Sequence, residues 1–202
     1  MFYRLSPQLI LRSRWRPYQA RPGERVLVFR APRAFPPGHP TTLLCLELLK
    51  EALTAGACRR LLDVGCGSGV LLLAGAALGA GLCLGVDLSP QAARLSRDNA
   101  RDNRLAARVR VVQGSTECLR RSFEVLVANL PWPVQLAEVP ELDRLASRSL
   151  VLSGFRDVQE PELLACYQER GWRLMRRLSR DEWDIEVPPE GSFTWVAWRL
   201  ER

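Results

Sequence analysis

Leu61-Leu62-Asp63-Val64-Gly65-Cys66-Gly67-Ser68-Gly69 is the stretch around which this 202-residue chain is organised. Leu61, Leu62 and Val64 predict a short buried strand, the three glycines a tight turn, and Val70 to Leu78 an apolar helix. Without Cβ atoms the turn can approach a ligand closely, and free N–H groups at the helix start attract an anionic group. The spacing is Gly-x-Gly-x-Gly, with Val70 where a dinucleotide fingerprint carries its third glycine. Leu82 to Val86 then predicts a second strand ending at Asp87, whose carboxylate can accept both hydroxyls of a ribose. Together these features fit a nucleoside ligand with a small anionic group, and S-adenosylmethionine is such a ligand. The alternative is a tight turn that binds nothing.

Composition narrows the class. The length predicts one α/β domain with one sizeable core. No apolar run is long enough to span a bilayer, and Arg4, Arg12, Arg14 and Arg16 interrupt any signal-peptide pattern, so a cytoplasmic protein without a membrane partner is expected. Cys45, Cys58, Cys66, Cys83, Cys118 and Cys166 form no Cys-x-x-Cys pair, and His39 is the only histidine. Reduced core cysteines and no metal site are therefore expected. The net charge of +7 lies wholly in residues 1–40, where eight arginines face Glu24 alone. That leader reads either as an electrostatic handle for RNA, a ribosomal surface or an acidic protein, or as a solvated arm.

Within the leader, 1–40, one strand is predicted, Arg25 to Arg30, before the Pro/Gly-rich run Pro32 to Pro40. The main domain then occupies 41–202. Thr41 or Thr42 is expected to cap a helix reaching Leu53, and Ser89 to cap one over Pro90 to Asn103. Strands are predicted at Val109–Val112, Phe123–Ala128 and Leu150–Ser153, with helices at Pro133–Arg148 and Pro161–Arg170. Trp172–Leu178 and Phe193–Leu200 read as a closing pair of strands. The expected fold is α/β: a Rossmann-like, seven-stranded, mostly parallel sheet with helices on both faces and an antiparallel C-terminal hairpin.

Ligands of such sheets bind beyond the carboxyl ends of the strands. Three motifs fall there: Gly65 to Gly69, Asp87, and Asn129-Leu130-Pro131-Trp132. The Asn129 amide oxygen and a backbone carbonyl held by proline can accept hydrogen bonds from one nitrogen, and Trp132 offers a π face. A proline turn beside a core tryptophan is the alternative. Gly114-Ser115-Thr116 carries a weaker signal, a Ser115 hydroxyl for an adenine edge.

With these residues the chain resembles class I S-adenosylmethionine-dependent methyltransferases, and within them the PrmA family, which methylates a large-subunit ribosomal protein. The matching segments are Ala34-Phe35, Gly38-His39-Pro40-Thr41-Thr42, Leu44-Cys45-Leu46-Glu47, Asp63 to Gly69, Gly85-Val86-Asp87, Ser96-Arg97-Asp98-Asn99-Ala100, Val127-Ala128-Asn129, Leu152-Ser153-Gly154 and Glu182-Trp183. The resemblance implies cofactor contacts at Thr42, Gly65, Asp87 and Asn129, within a candidate set that also holds Asp63, Gly67, Gly69 and Ser115. The family's amino-terminal recognition domain is expected to have only the basic leader in its place. Leu130-Pro131-Trp132 departs from the family's apolar continuation and resembles the Asn-Leu-Pro-Tyr motif of rRNA adenine dimethyltransferases.

The leading expectation is an N-methyltransferase acting on a protein amine, a lysine or an amino terminus, with ribosomal proteins as candidates, Asn129 orienting the amine and Trp132 walling the pocket. RNA base N-methylation and a catalytically silent cofactor-binding module are the alternatives.

Overall fold

The computed structural model of the chain describes residues 1–30, 38–182 and 191–202. Ala34-Phe35 and Trp183, quoted above for the resemblance, lie outside the described residues, as do positions 32–37 of the proline-rich run.

The leader contains three strands where one is expected: β1 (Phe2–Ser6), β2 (Leu9–Ser13) and β3 (Arg25–Phe29). β1 pairs antiparallel and β3 parallel with β2, making a small sheet of its own. Leu9, Leu11, Leu27 and Phe29 bury one face of it in the main core. Its β3 edge is held by two asparagines four residues apart on helix α3 (Pro90–Asp102 and its cap): Asn103 and Asn99 exchange amide hydrogen bonds with the backbones of Val28 and Arg30. Side-chain amides thus stand in for a neighbouring strand, which satisfies edge groups that would otherwise be exposed.

Helix α1 (Pro40–Thr54) follows, then β4 (Arg60–Val64), α2 (Val70–Ala77), β5 (Leu82–Asp87), α3, β6 (Val109–Gln113) and β7 (Phe123–Asn129). After α4 (Trp132–Ala137) and α5 (Val139–Leu145) come β8 (Ala146–Arg156), α6 (Glu160–Gln168), β9 (Arg173–Asp181) and β10 (Thr194–Glu201). The main sheet has the order β6-β5-β4-β7-β8-β10-β9, parallel from β6 to β8 and antiparallel from β8 through β10 to β9, as expected. Alternation along β7 divides two cores. Val125 and Val127 face α1, α2 and the leader sheet, while Leu126 and Ala128 face α5 and α6.

One helix expected over Pro133–Arg148 is instead two helices followed by strand. Pro140 has no N–H for the Leu136 carbonyl, so the helix restarts, with Leu142 donating to Glu138 O at 2.9 Å. From Ala146 the backbone pairs with Phe123, and sheet hydrogen bonding overrides local helix propensity. The α1 cap is His39, one of whose ring nitrogens accepts from Thr41 N, so Thr41 and Thr42 lie buried inside the first turn. Ser89 caps α3 as expected, accepting from Ala92 N at 3.3 Å. No helix among the described residues is long and apolar enough to cross a membrane.

Candidate functional site

In the sheet order β5-β4-β7, the carboxyl ends of three adjacent strands bring together the three motifs that are separate in sequence. After β4, Gly65, Gly67 and Gly69 take φ of 68°, 54° and 80°, values that side chains with a Cβ rarely adopt. Gly69 also lies so close to α3 that a Cβ there would meet Ser96 Oγ at 2.5 Å. Inside the turn, Gly65 N and Cys66 N donate to Val86 O, and Gly69 N to Cys66 O. Leu72 N, in the first turn of α2, donates to Asp63 Oδ2 at 3.0 Å. Val70 and Leu71, both on the wall of the site, carry the remaining first-turn donors.

Asp87 closes the turn from β5. Its Oδ2 accepts from Gly67 N at 2.8 Å and its Oδ1 from Ser89 N at 2.9 Å. A carboxylate has about four acceptor positions, so each oxygen keeps one for a ligand hydroxyl. Asp63 is only 1% exposed, and burial pushes its carboxyl up to about 8, with the bond from Leu72 N opposing.

Asn129 ends β7. Its Nδ2 donates to Thr42 Oγ1 at 3.4 Å, while its Oδ1 is buried without a hydrogen-bond partner. The turn after it is seated against β8: Leu130 N donates to Ser153 O, and the Leu130 carbonyl packs so tightly on Gly154 that a Cβ there would stand 1.9 Å from its oxygen. Gly154 has φ 98°, so two separate constraints select glycine.

The far wall comes from the hairpin. Trp195 stacks on the Arg156 guanidinium at 3.6 Å, meets the His39 ring edge-on at 5.1 Å, and donates Nε1–H to Glu182. Burial holds the His39 imidazole below its ordinary value; Glu182, 3.5 Å from Nε2, opposes this and Arg156 reinforces it.

These groups enclose a cavity of about 450 Å³. Thr42, Asp63, Gly65, Gly67, Asp87 and Asn129 lie on its wall, as do His39, Cys66, Leu130, Pro131, Gly154 and Trp195. Gly69 shapes the turn from behind, and Ser115 precedes a short 3-10 turn away from the wall. Trp132 does not wall this cavity: it opens α4 and packs half-buried against the α5–α6 core, so Trp195 is the aromatic residue at the site. Trp195 is 130 residues downstream of the glycine turn and carries no local signal. Leu88, beside Asp87, is 74% exposed, which its apolar side chain does not foretell.

A family described as "Ribosomal protein L11 methyltransferase (PrmA)" matches residues 3–187. The chain belongs to the PrmA family. A relative named ribosomal protein L11 methyltransferase, from Syntrophotalea carbinolica, is 36% identical over 184 residues, covering 89% of this chain and 60% of that one. The chain therefore spans about 60% of the length of such curated PrmA relatives. The crystal structure of a ribosomal protein L11 methylase from Lactobacillus delbrueckii subsp. bulgaricus superposes with a TM-score of 0.81 at 23% identity, covering 100% of this chain and 97% of that one. A magnesium protoporphyrin IX methyltransferase from Synechocystis, solved with bound S-adenosylmethionine, shares the fold at a TM-score of 0.60 and 16% identity, over 78% of this chain and 77% of that one.

Proposed function

We propose that this PrmA-family chain is an S-adenosylmethionine-dependent N-methyltransferase acting on a protein amine, with a ribosomal protein as the acceptor. Residues 41–202 would form the catalytic domain and residues 1–40 a basic extension. The carrying observation is the buried, unpartnered Oδ1 of Asn129, a residue on the wall of the cavity that the glycine turn and Asp87 also line. An unsatisfied buried acceptor costs about 1–3 kcal/mol, and an incoming N–H donor recovers it.

The residues fit the cofactor. Asp87 would hold the ribose hydroxyls, the α2 start the carboxylate, and exposed Leu88 would offer the adenine an apolar contact. Thr42 holds the Asn129 amide in place, and Ser115 remains a candidate for the adenine edge. When bound, S-adenosylmethionine supplies an electrophilic methyl group on a positively charged sulfur. Asn129 Oδ1 would accept an N–H of the amine, which turns the nitrogen lone pair away from Asn129 and into the cavity. Leu130, Pro131 and Trp195 exclude water, and catalysis is chiefly positioning. A cytoplasmic location goes with this substrate class.

The test incubates the protein with methyl-labelled S-adenosylmethionine and an extract of its source cells, then treats samples with protease or ribonuclease. Label lost only to protease supports the reading. Label lost only to ribonuclease moves it to RNA base methylation, and cofactor binding without any label to a silent module.

A further inference from the structure

The turn that follows β2 is built to hold a tryptophan in water. Arg12 Nη1 donates to the carbonyl oxygens of Ser13, Arg14 and Arg16 at 3.2, 3.3 and 2.8 Å, so one guanidinium fixes the whole turn. Trp15 at its tip is 85% exposed, with the Arg14 guanidinium 6.0 Å from its ring. From there the chain returns along the leader sheet past Tyr18, whose ring meets the 40%-exposed Phe2 at 5.1 Å. Exposed Arg14, Arg16 and Arg21 are interleaved with these aromatics, and none of the three makes an ion pair among the described residues. The strip's single acid, Glu24, is already engaged by Arg4, the Tyr18 hydroxyl and Arg21 N, which together hold it at about 2. It is the combination of the exposed Trp15 ring, the Phe2–Tyr18 pair and unpaired arginines that points to a ligand, because cations between aromatic faces match phosphates between bases. An acidic peptide would use the arginines and leave Trp15 in water.

We infer that this strip binds single-stranded RNA, with Trp15 as the stacking platform for an unpaired base and Arg14, Arg16 and Arg21 on the phosphates. The choice of RNA over DNA rests on the proposed ribosomal acceptor, but the binding test involves no methyl transfer. A fluorescent 12-nucleotide oligouridylate is titrated with the full chain and followed by anisotropy at several salt concentrations. Trp15→Ala should weaken binding between about fivefold and a hundredfold, with Trp15→Phe restoring most of it. Arg16→Gln and Arg21→Gln should each lower the slope of log affinity against log salt by about 0.7. Trp15 is 85% exposed and belongs to neither core cluster of the described residues, so the variant should keep its melting temperature. No binding, unchanged affinity in Trp15→Ala, equal binding of the matching DNA, or equal competition by oligoglutamate would each overturn the inference. RNA binding by a chain that labels no protein would instead sink the protein-acceptor reading and leave this one standing.

Discussion

Gly154→Ala is the sharpest probe of how the site is assembled. An ideal Cβ at this position lies 1.9 Å from Leu130 O, 2.7 Å from Leu130 C and 3.0 Å from Leu130 N, all backbone atoms that no rotamer can move. Ordinary carbon–oxygen contact begins near about 3.3 Å, so the Asn129-Leu130 turn must retreat by more than about 1 Å. The φ of 98° adds backbone strain on the order of 1–3 kcal/mol. For a chain of this size a loss of about 3 kcal/mol lowers the melting temperature by roughly 6–12 °C. A displacement of about 1 Å at a positioning group costs on the order of 100-fold in rate. The glycine turn and Asp87 belong to β4 and β5, which do not pair with β8, and only the Leu130 side chain against Gly65 carries the displacement toward them, so cofactor affinity should fall by clearly less than turnover does. The assay pairs calorimetric binding of S-adenosylmethionine with methyl transfer to extract protein, after a melt shows that the variant is folded. Wild-type transfer, or a loss of affinity as large as the loss of turnover, would refute the claim that Gly154 acts by seating the Asn129 turn. Asn129→Ala adds no atom, so it tests the same turn even if Gly154→Ala fails to fold.

That second variant should cut turnover far more than cofactor affinity; equal losses would count against an orienting role. Asn129→Asp should move the rate-limiting ionisation to higher pH, because a carboxylate holds the proton on the attacking amine; an unshifted pH profile would rule this out. Asp87→Ala should weaken cofactor binding about 100-fold or more, the loss of two charge-assisted bonds at about 1.5–3 kcal/mol each; calorimetry showing wild-type affinity would remove the basis of the site assignment. Asp63, at about 8 when folded, stays protonated where the unfolded chain has released its proton, so its contribution to stability falls as pH rises from the ordinary carboxylate range through about 8. Between about pH 6.5 and 7.5 the melting temperature of the wild type should therefore fall relative to that of Asp63→Asn, which keeps an acceptor for Leu72 N and leaves the His39 contribution common to both; a constant difference would exclude Asp63 as a source.

What was legible in the sequence was whatever a strand and its own following turn encode. Gly65 to Gly69, Asp87 and Asn129 each sit at the end of the strand that announces them, and parallel pairing of β4 with β5 and β7 makes them converge without further instruction. The leader strands β1 and β2 were not legible, because five-residue strands around Ser6 to Gln8 give too short an alternation to stand out. What holds β3 was readable only as the sequence of α3: Asn99 and Asn103 look like ordinary helix residues until their amides meet the Arg30 and Val28 backbones. A tryptophan after Asn-Leu-Pro can turn either way, and nothing local in the sequence tells that the Trp132 ring packs against the α5–α6 core and not on the cavity.

The two walls differ in kind for the same reason. The wall proposed for the cofactor is built by local backbone geometry, the wall proposed for the acceptor by pairings between distant segments: Gly154 of β8 seats the Asn129 turn, and β10 brings Trp195 against His39 from the start of α1. An electrically neutral acceptor at Asn129 suits this second wall. A carboxylate there would stabilise the ammonium form of an incoming amine, which has no lone pair to give, whereas an amide oxygen orients the neutral form at no electrostatic cost. Asp63 does not undo this, since burial holds its carboxyl toward the protonated state, and Asp87 spends its charge on the Gly67 and Ser89 N–H groups across the cavity. Arg156 behind Trp195 and Glu182 at its indole N–H set opposite charges on this wall, so the orienting role proposed for the neutral Asn129 amide is not overridden by a net charge beside it.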